Sequence, residues 1–284
     1  MIKTTVNILT LDIEDYYCHD NYSQMFDWEK YPVRIYEPLY KTLDLLDEYQ
    51  VKATCFCLGW LAEKHPDIIK EITQRGHEIA CHSYQHQLAY RFNRKAFLQD
   101  TLKAKKLLED SSGKEVVSYR APSFSITDEN TYALDVLIEL GFKYDCSIFP
   151  RKRECGGFKN YGEALPKIFK SDKGIIKEFP MNLFSLLGQK IAFSGGGYFR
   201  VLPYNATKYM AKHSNYVMSY FHPSDFDVDQ PNIKTLPLIR QAKNKIGLRC
   251  AFKKFSQYIR DFNFVTIQEA DKMINWDKTE TIVL

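Results

Sequence analysis

Short apolar runs alternate with helical periods along most of this chain of 284 residues. Runs typical of buried strands occupy residues 6–11, 53–58, 78–81 and 116–119. Apolar positions repeat at helical spacing in residues 37–49, after Pro66, in residues 94–108 and in residues 129–140, before Gly141. The alternation predicts parallel strands joined by helices, and therefore an α/β fold.

The middle of the chain is less regular, because glycines and charges interrupt the pattern. We interpret the stretch near residues 151–200 as an irregular insertion that carries short strands at 175–178 and 191–193. After it, the pattern predicts strands at 216–221 and 264–267, and helices at 205–213, 248–261 and 268–274. We find no repeat or convincing linker, so we expect residues 1–284 to form a single domain.

Composition and charge exclude several classes of protein. Hydrophobic residues make up 45% and charged residues 26%, as in ordinary globular proteins, and no segment approaches the ~18 apolar residues of a membrane span. The net charge of +4 without a lysine or arginine run does not favour nucleic acid as a partner. The first residues do not have the pattern of a signal peptide. The chain has seven cysteines, an odd number that does not favour a complete set of disulfides. We therefore expect reduced thiols in a cytoplasmic protein, which could sit peripherally at the inner face of the membrane.

Candidate reactive residues follow the predicted strands, at the ends where α/β proteins carry their active sites. Asp12-Ile13-Glu14-Asp15 follows the first strand, and His82, His86, Arg120 and His222 follow others. Each alone has an ordinary explanation, such as a solvated acidic loop or a loop histidine. Together they predict a metal hydrolase, because two histidines and one carboxylate form a recurrent catalytic metal set.

The spacing within these segments predicts how their side chains share a site. His82 and His86 are four residues apart, and on one helical turn both imidazoles would point the same way. Asp12 and Glu14 are two apart, so an extended strand would place their side chains on one face.

The ordered motifs resemble those of the polysaccharide deacetylases of carbohydrate esterase family 4, the NodB-homology family. The segments that carry this resemblance are Thr10 to Asp15, the H-S-x-x-H of His82 to His86, the R-x-P of Arg120 to Pro122, Tyr144 to Ser147 near the place of the fourth motif, and Tyr220 to Pro223. The chain is most similar to the exosortase-associated deacetylases, in the branch with a peptidoglycan deacetylase and an allantoinase-like enzyme. Asp12 to Tyr17, Arg120 to Ile126 and Gly195 to Arg200 carry that narrower similarity.

The resemblance implies a fold and a mechanism. The fold would be a distorted (β/α) barrel of about seven units. A divalent metal, most simply Zn²⁺, would be held by His82, His86 and a carboxylate from the first motif. The related branch with a D-x-D motif favours Glu14 as this ligand, and Asp15 is the alternative if the strand has already turned. Asp12 would be the catalytic base and Arg120 its partner.

Two further site features follow from the resemblance or from the glycine run. A backbone N–H near Ser123 would stabilise the oxyanion, and His222 would protonate the leaving amine. Gly195 to Gly197 is either a tight turn or part of a substrate-facing loop that presents Tyr198 and Arg200.

The function expected on this basis is a metal-dependent polysaccharide N-deacetylase, a hydrolase of non-peptide carbon–nitrogen bonds. It would remove N-acetyl groups from an amino-sugar polysaccharide or its precursor, such as a lipid-linked glycan, during surface glycan or exopolysaccharide biosynthesis. Two alternatives stay open at this point: a hydrolase of small cyclic amides of the allantoinase-like type, and a non-catalytic glycan-binding protein.

Overall fold

The computed structural model describes residues 5–18, 27–153, 155–233 and 236–284. Its strands are β1 (Val6–Ile13), β2 (Thr54–Cys57), β3 (Glu78–Cys81), β4 (Ser118–Tyr119), β5 (Tyr144–Asp145), β6 (Lys167–Ser171), β7 (Gly174–Glu178), β8 (Phe184–Leu186), β9 (Gln189–Ile191), β10 (Tyr216–Phe221) and β11 (Thr281–Val283). Its α-helices are α1 (Tyr36–Glu48), α2 (Gly59–Lys64), α3 (Pro66–Gln74), α4 (Arg94–Ser112), α5 (Tyr132–Glu139), α6 (Gly196–Val201), α7 (Tyr204–Lys212), α8 (Leu238–Lys245), α9 (Leu248–Asp261) and α10 (Ile267–Met273).

A nine-stranded sheet organises the fold, in the order β10-β1-β2-β3-β4-β5-β7-β6-β11. Neighbouring strands are parallel except β6 and β7, which form an antiparallel pair. The register aligns Leu11 of β1 with Phe221 of β10 and with Cys55 of β2. The residues that follow these parallel strands therefore meet at one edge, as the α/β prediction requires.

The sheet is open in its backbone pairing, but side chains link the segment after β7 to β10. The Asn182 Oδ1 atom accepts the backbone N–H of Met218 at 2.9 Å, and the Tyr216 hydroxyl donates to the carbonyl of Pro180 at 2.7 Å. Gly195 forms a single backbone bridge with Tyr220. The α/β fold with a central, mainly parallel sheet is confirmed, and these contacts hold its two sides together where a regular ladder is missing.

The two faces of β1 show why the site lies where it does. Leu9, Leu11 and Ile13 pack in the larger core with the helices. Val6 and Ile8 point to the other side, into a second apolar cluster. The same inner face continues through the buried polar residues Thr10, Asp12 and Glu14. Because side chains alternate along a strand, the inner face of β1 changes from apolar to polar towards its C-terminal end.

Several predicted elements differ from the structure in the irregular middle and at the end of the chain. β6 lies inside the stretch interpreted as an insertion, β9 ends at Ile191, and the predicted strand at 264–267 is reduced to a bridge between Val265 and Ile8. The glycine run begins α6, and a Cβ atom on Gly195 would collide with the Tyr220 carbonyl oxygen. This glycine therefore permits a close approach of two backbones.

Two smaller expectations concern membranes and thiols. Within the described ranges, no helix combines the length and the apolar character that crossing a membrane requires. All seven cysteines are free thiols, and five of them are buried. Burial raises the pKa of the Cys57 and Cys81 thiols, so they remain protonated and act as small apolar side chains.

Candidate active site

Glu14, His82 and His86 converge at the C-terminal ends of β1 and β3. The Glu14 Oε2 atom lies 3.0 Å from His86 Nε2 and 3.9 Å from His82 Nε2. One ligand atom from each of the three residues lies within 4.8 Å of the others, and all three side chains are buried. The structure thus brings together the pair of histidines and the favoured carboxylate from the first motif.

The expectation that His82 and His86 share a helical turn is wrong, because the segment after β3 is a loop. Ser83 (φ 66°) and His86 (φ 55°) both adopt left-handed backbone conformations. The Ser83 hydroxyl accepts the backbone N–H of His86 at 3.0 Å and so closes the turn. The imidazole centroids are 5.2 Å apart and the ring planes are inclined by 72°. A tight loop, not helical periodicity, makes the two rings face a common point.

The donor chemistry of these residues fits a divalent metal. His82 Nδ1 lies 2.8 Å from the Arg120 carbonyl oxygen, which can only accept a hydrogen bond. Nδ1 therefore carries the proton, and Nε2 presents its lone pair towards Glu14. Ligand atoms about 3 to 4 Å apart are compatible with one ion bonded to each at roughly 2.0–2.2 Å. Burial lowers the pKa of His82 to about 4, so its ring stays neutral as ligation requires.

Asp15, the alternative ligand, points away from this cluster. Its carboxylate accepts the backbone N–H groups of Arg34 at 2.7 Å, Ile35 at 3.0 Å and Tyr16 at 2.7 Å. Burial raises the pKa of Asp15 to about 6 despite these hydrogen bonds. Asp15 thus fixes the segment that leads into α1, and Glu14 is the carboxylate that faces the histidines.

Asp12 and Arg120 form a buried ion pair beside the candidate metal ligands. Arg120 Nη1 lies 2.5 Å from Asp12 Oδ1 and donates to the Thr10 hydroxyl at 2.8 Å. The guanidinium also covers the ring of Phe56 at 4.1 Å. Burial alone would raise the pKa of Asp12, but Arg120 and nearby histidines hold it below its usual value. Asp12 is therefore ionised, as a proton acceptor must be.

The segment from β5 fixes the loop that carries Arg120. Arg120 Nε donates to the Cys146 carbonyl at 3.3 Å, and the Ala121 N–H donates to the Ser147 hydroxyl at 2.7 Å. The Ser147 hydroxyl in turn donates to Asp145 Oδ1 at 2.5 Å. The segment Tyr144 to Ser147, which the sequence indicated only by its approximate motif position, therefore holds Arg120 and Ala121 in place through these hydrogen bonds.

His222 faces the same centre from the end of β10. Its Nε2 atom is 3.8 Å from Asp12 Oδ2 and 3.7 Å from Glu14 Oε1. Its Nδ1 atom lies 3.0 Å from Asp225 Oδ2, which also accepts the backbone N–H of His222 at 2.9 Å. Burial opposes charging of the ring, yet Asp225 and the two other carboxylates raise the pKa of His222 to about 9. The imidazolium form is thus available as a proton donor at neutral pH.

Sequence analysis missed Asp225, although its position three residues after His222 has the spacing of a capping box. Arg200 lies behind it, with Nε 3.1 Å from Asp225 Oδ1 and Nη1 donating to the Asn244 carbonyl at 2.6 Å. The expectation that Arg200 belongs to a substrate-facing loop does not match this placement. Its guanidinium is engaged by Asp225 and by the Asn244 carbonyl, and Asp225 links Arg200 to His222.

Ser123 lies in a sharp turn that follows Arg120. Ser123 (φ 54°) and Phe124 (φ 56°) are consecutive left-handed residues directly after Pro122. Tyr198 is 45% exposed and lines a cavity whose lining residue Phe149 contacts the Phe124 ring. The roles expected of Ser123 at the oxyanion and of Tyr198 towards the substrate stay predictions.

Two family models together match most of the chain. Residues 24–144 match the polysaccharide deacetylase family, and residues 146–272 match a domain of unknown function, DUF3473. The second match fits the exosortase-associated branch of the deacetylases. The candidate metal ligands His82 and His86 lie in the first region, and His222 lies in the second.

Curated relatives match shorter stretches. A peptidoglycan deacetylase of Helicobacter pylori is 31% identical over 108 residues, which cover 38% of this chain and 36% of that protein. A peptidoglycan-N-acetylglucosamine deacetylase of Bacillus cereus is 38% identical over 73 residues, 26% of each chain. This chain therefore spans about a quarter to a third of the length of these two relatives.

Solved structures share the fold at low identity. A crystal structure titled as a putative polysaccharide deacetylase from Mycobacterium smegmatis superposes with a TM-score of 0.59, 18% identity and 93% of both chains. A CE4 family pseudoenzyme of Bacillus anthracis superposes with a TM-score of 0.52 and 12% identity, over 99% of this chain and 68% of that one. At these identities the comparison shows a common fold.

Proposed function

We propose that this chain, whose residues 24–144 match the polysaccharide deacetylase family, is a metal-dependent hydrolase that removes N-acetyl groups from an amino-sugar polysaccharide or its precursor. One observation carries the proposal. A three-residue ligand set, an ionised carboxylate held by arginine and a histidine held by aspartate face one point at the strand ends. Amide hydrolysis needs electrophilic activation, a base and an acid, and this arrangement provides a group for each.

Glu14, His82 and His86 would hold the metal, and Zn²⁺ suits two imidazoles and one carboxylate. When bound, the ion would polarise the acetamide carbonyl and lower the pKa of a water towards ~7. Arg120 orients His82 through its backbone carbonyl, which fixes the tautomer needed for binding. The backbone carbonyl of Arg120 thus selects Nε2 as the donor atom of His82.

Asp12 would accept the proton of the attacking water. Arg120 keeps the carboxylate ionised and directs Oδ1, so Oδ2 remains on the side of His222. The backbone N–H near Ser123 would donate to the oxygen of the tetrahedral intermediate. This N–H belongs to a left-handed turn directly after Pro122.

His222 would protonate the amine as the carbon–nitrogen bond breaks. An amide nitrogen leaves poorly as an anion, so this proton is essential to the chemistry. The Asp225 carboxylate accepts a hydrogen bond from the Nδ1–H group of His222 and thereby directs the His222 Nε2 atom towards Asp12 and Glu14. Arg200 forms a salt bridge with the other Asp225 oxygen and would thereby position Asp225 against His222.

The relatives support the class of substrate. Proteins from Bacillus cereus and Helicobacter pylori that match this chain are named as deacetylases of peptidoglycan. The match to the exosortase-associated branch supports a role in surface glycan or exopolysaccharide biosynthesis, where a lipid-linked glycan is a candidate substrate. We propose that residues 1–284 act as one deacetylase domain.

Acetate release from N-acetylated oligosaccharides tests the proposal directly. The purified protein should release acetate, lose this activity on dialysis against a chelator and regain it with Zn²⁺. Asp12→Asn should lower kcat by roughly 10²- to 10⁴-fold, because it removes the general base, while about one equivalent of metal stays bound. Asp15→Asn is the matched control, since it neutralises a neighbouring carboxylate outside the ligand set.

Two outcomes would replace this function with an alternative. Glycan binding without acetate release, unchanged in Asp12→Asn and His222→Ala, would identify a non-catalytic glycan-binding protein. Hydrolysis of small cyclic amides, with no acetate released from any glycan, would identify an allantoinase-like hydrolase.

A further inference from the structure

A cavity of about 430 Å³ is lined largely by cationic and aromatic side chains. The described residues that line it are Phe149, Arg151, Lys152, Arg153, Lys190, Ile191, Ala192 and Tyr198. Its size lies within the range of small-molecule sites, and its four cations stand out in a chain with a net charge of only +4.

A continuous line of aromatic contacts connects this cavity to His222. The rings of His222 and Tyr220 are 5.8 Å apart, and those of Tyr220 and Phe124 are 5.3 Å apart. The Arg153 guanidinium lies 5.4 Å from the centroid of Phe124 and 4.6 Å from that of Phe149. Two rings therefore separate His222 from Arg153 at the cavity, a separation that a short oligosaccharide spans.

The cations of the cavity differ from those of the catalytic centre. Arg120 and Arg200 are each paired with a buried carboxylate, Asp12 and Asp225 respectively. Across the described residues, none of the four cations of the cavity forms a salt bridge. Positive charge that carboxylates of the fold do not neutralise is available to an anionic ligand.

The segment that carries three of the four cations, Arg151 to Arg153, is fixed in place. Arg151 Nη1 donates to the Lys190 carbonyl at 2.9 Å, and the Gly157 N–H donates to the Phe124 carbonyl at 3.1 Å. A Cβ atom on Gly157 would collide with the Arg151 carbonyl oxygen, so this position requires glycine. The two arginines are therefore held in position before a ligand arrives, which reduces the entropy lost on binding.

We infer that this cavity is a subsite for an anionic group, a carboxylate or a phosphate, on a glycan whose acetamide occupies the catalytic centre. The inference rests on the proposed function, since it assumes that the glycan is bound for deacetylation. Arginine binds carboxylate and phosphate through paired hydrogen bonds, and Tyr198 offers a face on which a sugar ring can pack. The substrate would then be an acidic polysaccharide or a precursor that bears a phosphate.

Binding to the Asp12→Asn variant tests the subsite without turnover. The probes are a neutral N-acetylglucosamine hexamer, a hexasaccharide with alternating glucuronate carboxylates, and a diphosphate-bearing N-acetylglucosamine nucleotide. At low salt, at least one anionic probe should bind about tenfold more tightly than the neutral hexamer. The advantage should shrink at 1 M NaCl, where the Debye length is about 3 Å. Preference for the carboxylate probe or for the diphosphate probe identifies the source of the anion.

Charge-reversal variants test whether the lysines of the cavity cause the preference for anionic probes. Lys152→Glu/Lys190→Glu should abolish the preference for the anionic probe, and Lys152→Arg/Lys190→Arg should retain it. Lys95→Glu/Lys106→Glu, on exposed positions of α4, changes the net charge equally and should leave the preference intact. Equal binding of neutral and anionic probes, or an equal loss in the α4 control, would overturn the subsite.

Acetate release separates this inference from the proposed function. Release from the neutral hexamer without any anionic preference leaves the deacetylase in place and removes the subsite. An anionic preference in binding, with no acetate released from any probe by the wild-type protein, leaves the subsite in place and removes the deacetylase.

Discussion

Asp225→Asn isolates the contribution of a carboxylate that does not face the substrate. The change keeps the size of the side chain and an oxygen that can accept a hydrogen bond, but it removes the charge beside His222. In the structure, Asp225 Oδ2 lies 3.0 Å from His222 Nδ1, and Arg200 holds the other oxygen at 3.1 Å. The perturbation therefore acts on the proton donor without touching Glu14, His82 or His86.

The geometry gives the size of the effect. A hydrogen bond to a charged group contributes about 1.5–3 kcal/mol, and one between neutral groups about 0.5–1.5 kcal/mol. Asp225 is buried, so solvent screens this interaction weakly. Losing about 1.5 kcal/mol of imidazolium stabilisation lowers the pKa of His222 by about one unit from its value near 9. Misorientation of the ring adds to this loss, so kcat should fall by roughly 10- to 100-fold.

The assay is acetate release as a function of pH, from pH 6 to 10. The acid must be protonated, so activity falls as pH rises through the pKa of His222, and Asp225→Asn should shift this alkaline limb to lower pH. KM and metal content should stay close to the wild-type values. Asp261→Asn, which alters a carboxylate bound to Tyr204 and Lys208, is the control. A folded Asp225→Asn protein with unchanged kcat and an unmoved alkaline limb would refute the role given to Asp225.

Three further outcomes follow from other contacts. Glu14→Gln should weaken metal binding by roughly 10- to 100-fold in an equilibrium competition with a chelator, because it removes a charged ligand, whereas Asp15→Asn should leave metal affinity unchanged. The same Asp15→Asn change should lower the free energy of unfolding by about 1–3 kcal/mol in urea denaturation, because Asp15 accepts three backbone N–H groups. An unchanged free energy of unfolding would contradict the anchoring role of Asp15. Burial lowers the pKa of His77 from 6.5 to about 4, so the unfolded chain binds the proton first as the pH falls. The free energy of unfolding should therefore fall by about 3 kcal/mol between pH 6.5 and pH 4. His77→Asn, which can still accept the Ala53 N–H, should flatten this pH dependence, and an unaltered slope would exclude His77 as its source.

The long elements with a strong period were accessible from sequence. β10 and α9 have the predicted bounds, and α1 is within one residue of them. Their apolar side chains are buried against neighbouring elements along their whole length, so the spacing of apolar residues predicts their bounds. The middle segment was only partly accessible, since the strand predicted at 175–178 is β7 but β6 was not predicted. β6 and β7 pair with each other between β5 and β11, and their mixed polar and apolar residues carry little period.

The two carboxylates of the first motif show how far local spacing reaches. Alternation along β1 places Asp12 and Glu14 on one face, as predicted. The same rule could not exclude Asp15, because that depends on whether the strand continues or turns. The answer comes from Arg34 and Ile35, whose backbone N–H groups bind Asp15 from a segment about twenty residues away.

The histidine loop and Arg200 mark the opposite limit. A four-residue spacing fits a helical turn, yet the Ser83 hydroxyl and two left-handed residues form the loop that joins His82 to His86. Arg200 follows a glycine run that resembles a substrate loop, but Asp225 and Asn244 engage its guanidinium from other elements. Partners distant in sequence decide where such long polar side chains point.

The sequence by itself determined the α/β class and the places of the candidate carboxylates and histidines after successive strands, and the resemblance supplied the roles proposed for them. The class and the places follow from periodicity, because the apolar run of a buried strand identifies the residues that follow it. Only the tertiary structure decided that Glu14 faces the histidines, that Asp225 and Arg200 support His222, and that cationic side chains line one cavity. Parallel strands are joined by long crossovers, so the groups at their ends meet through packing between segments far apart in the chain.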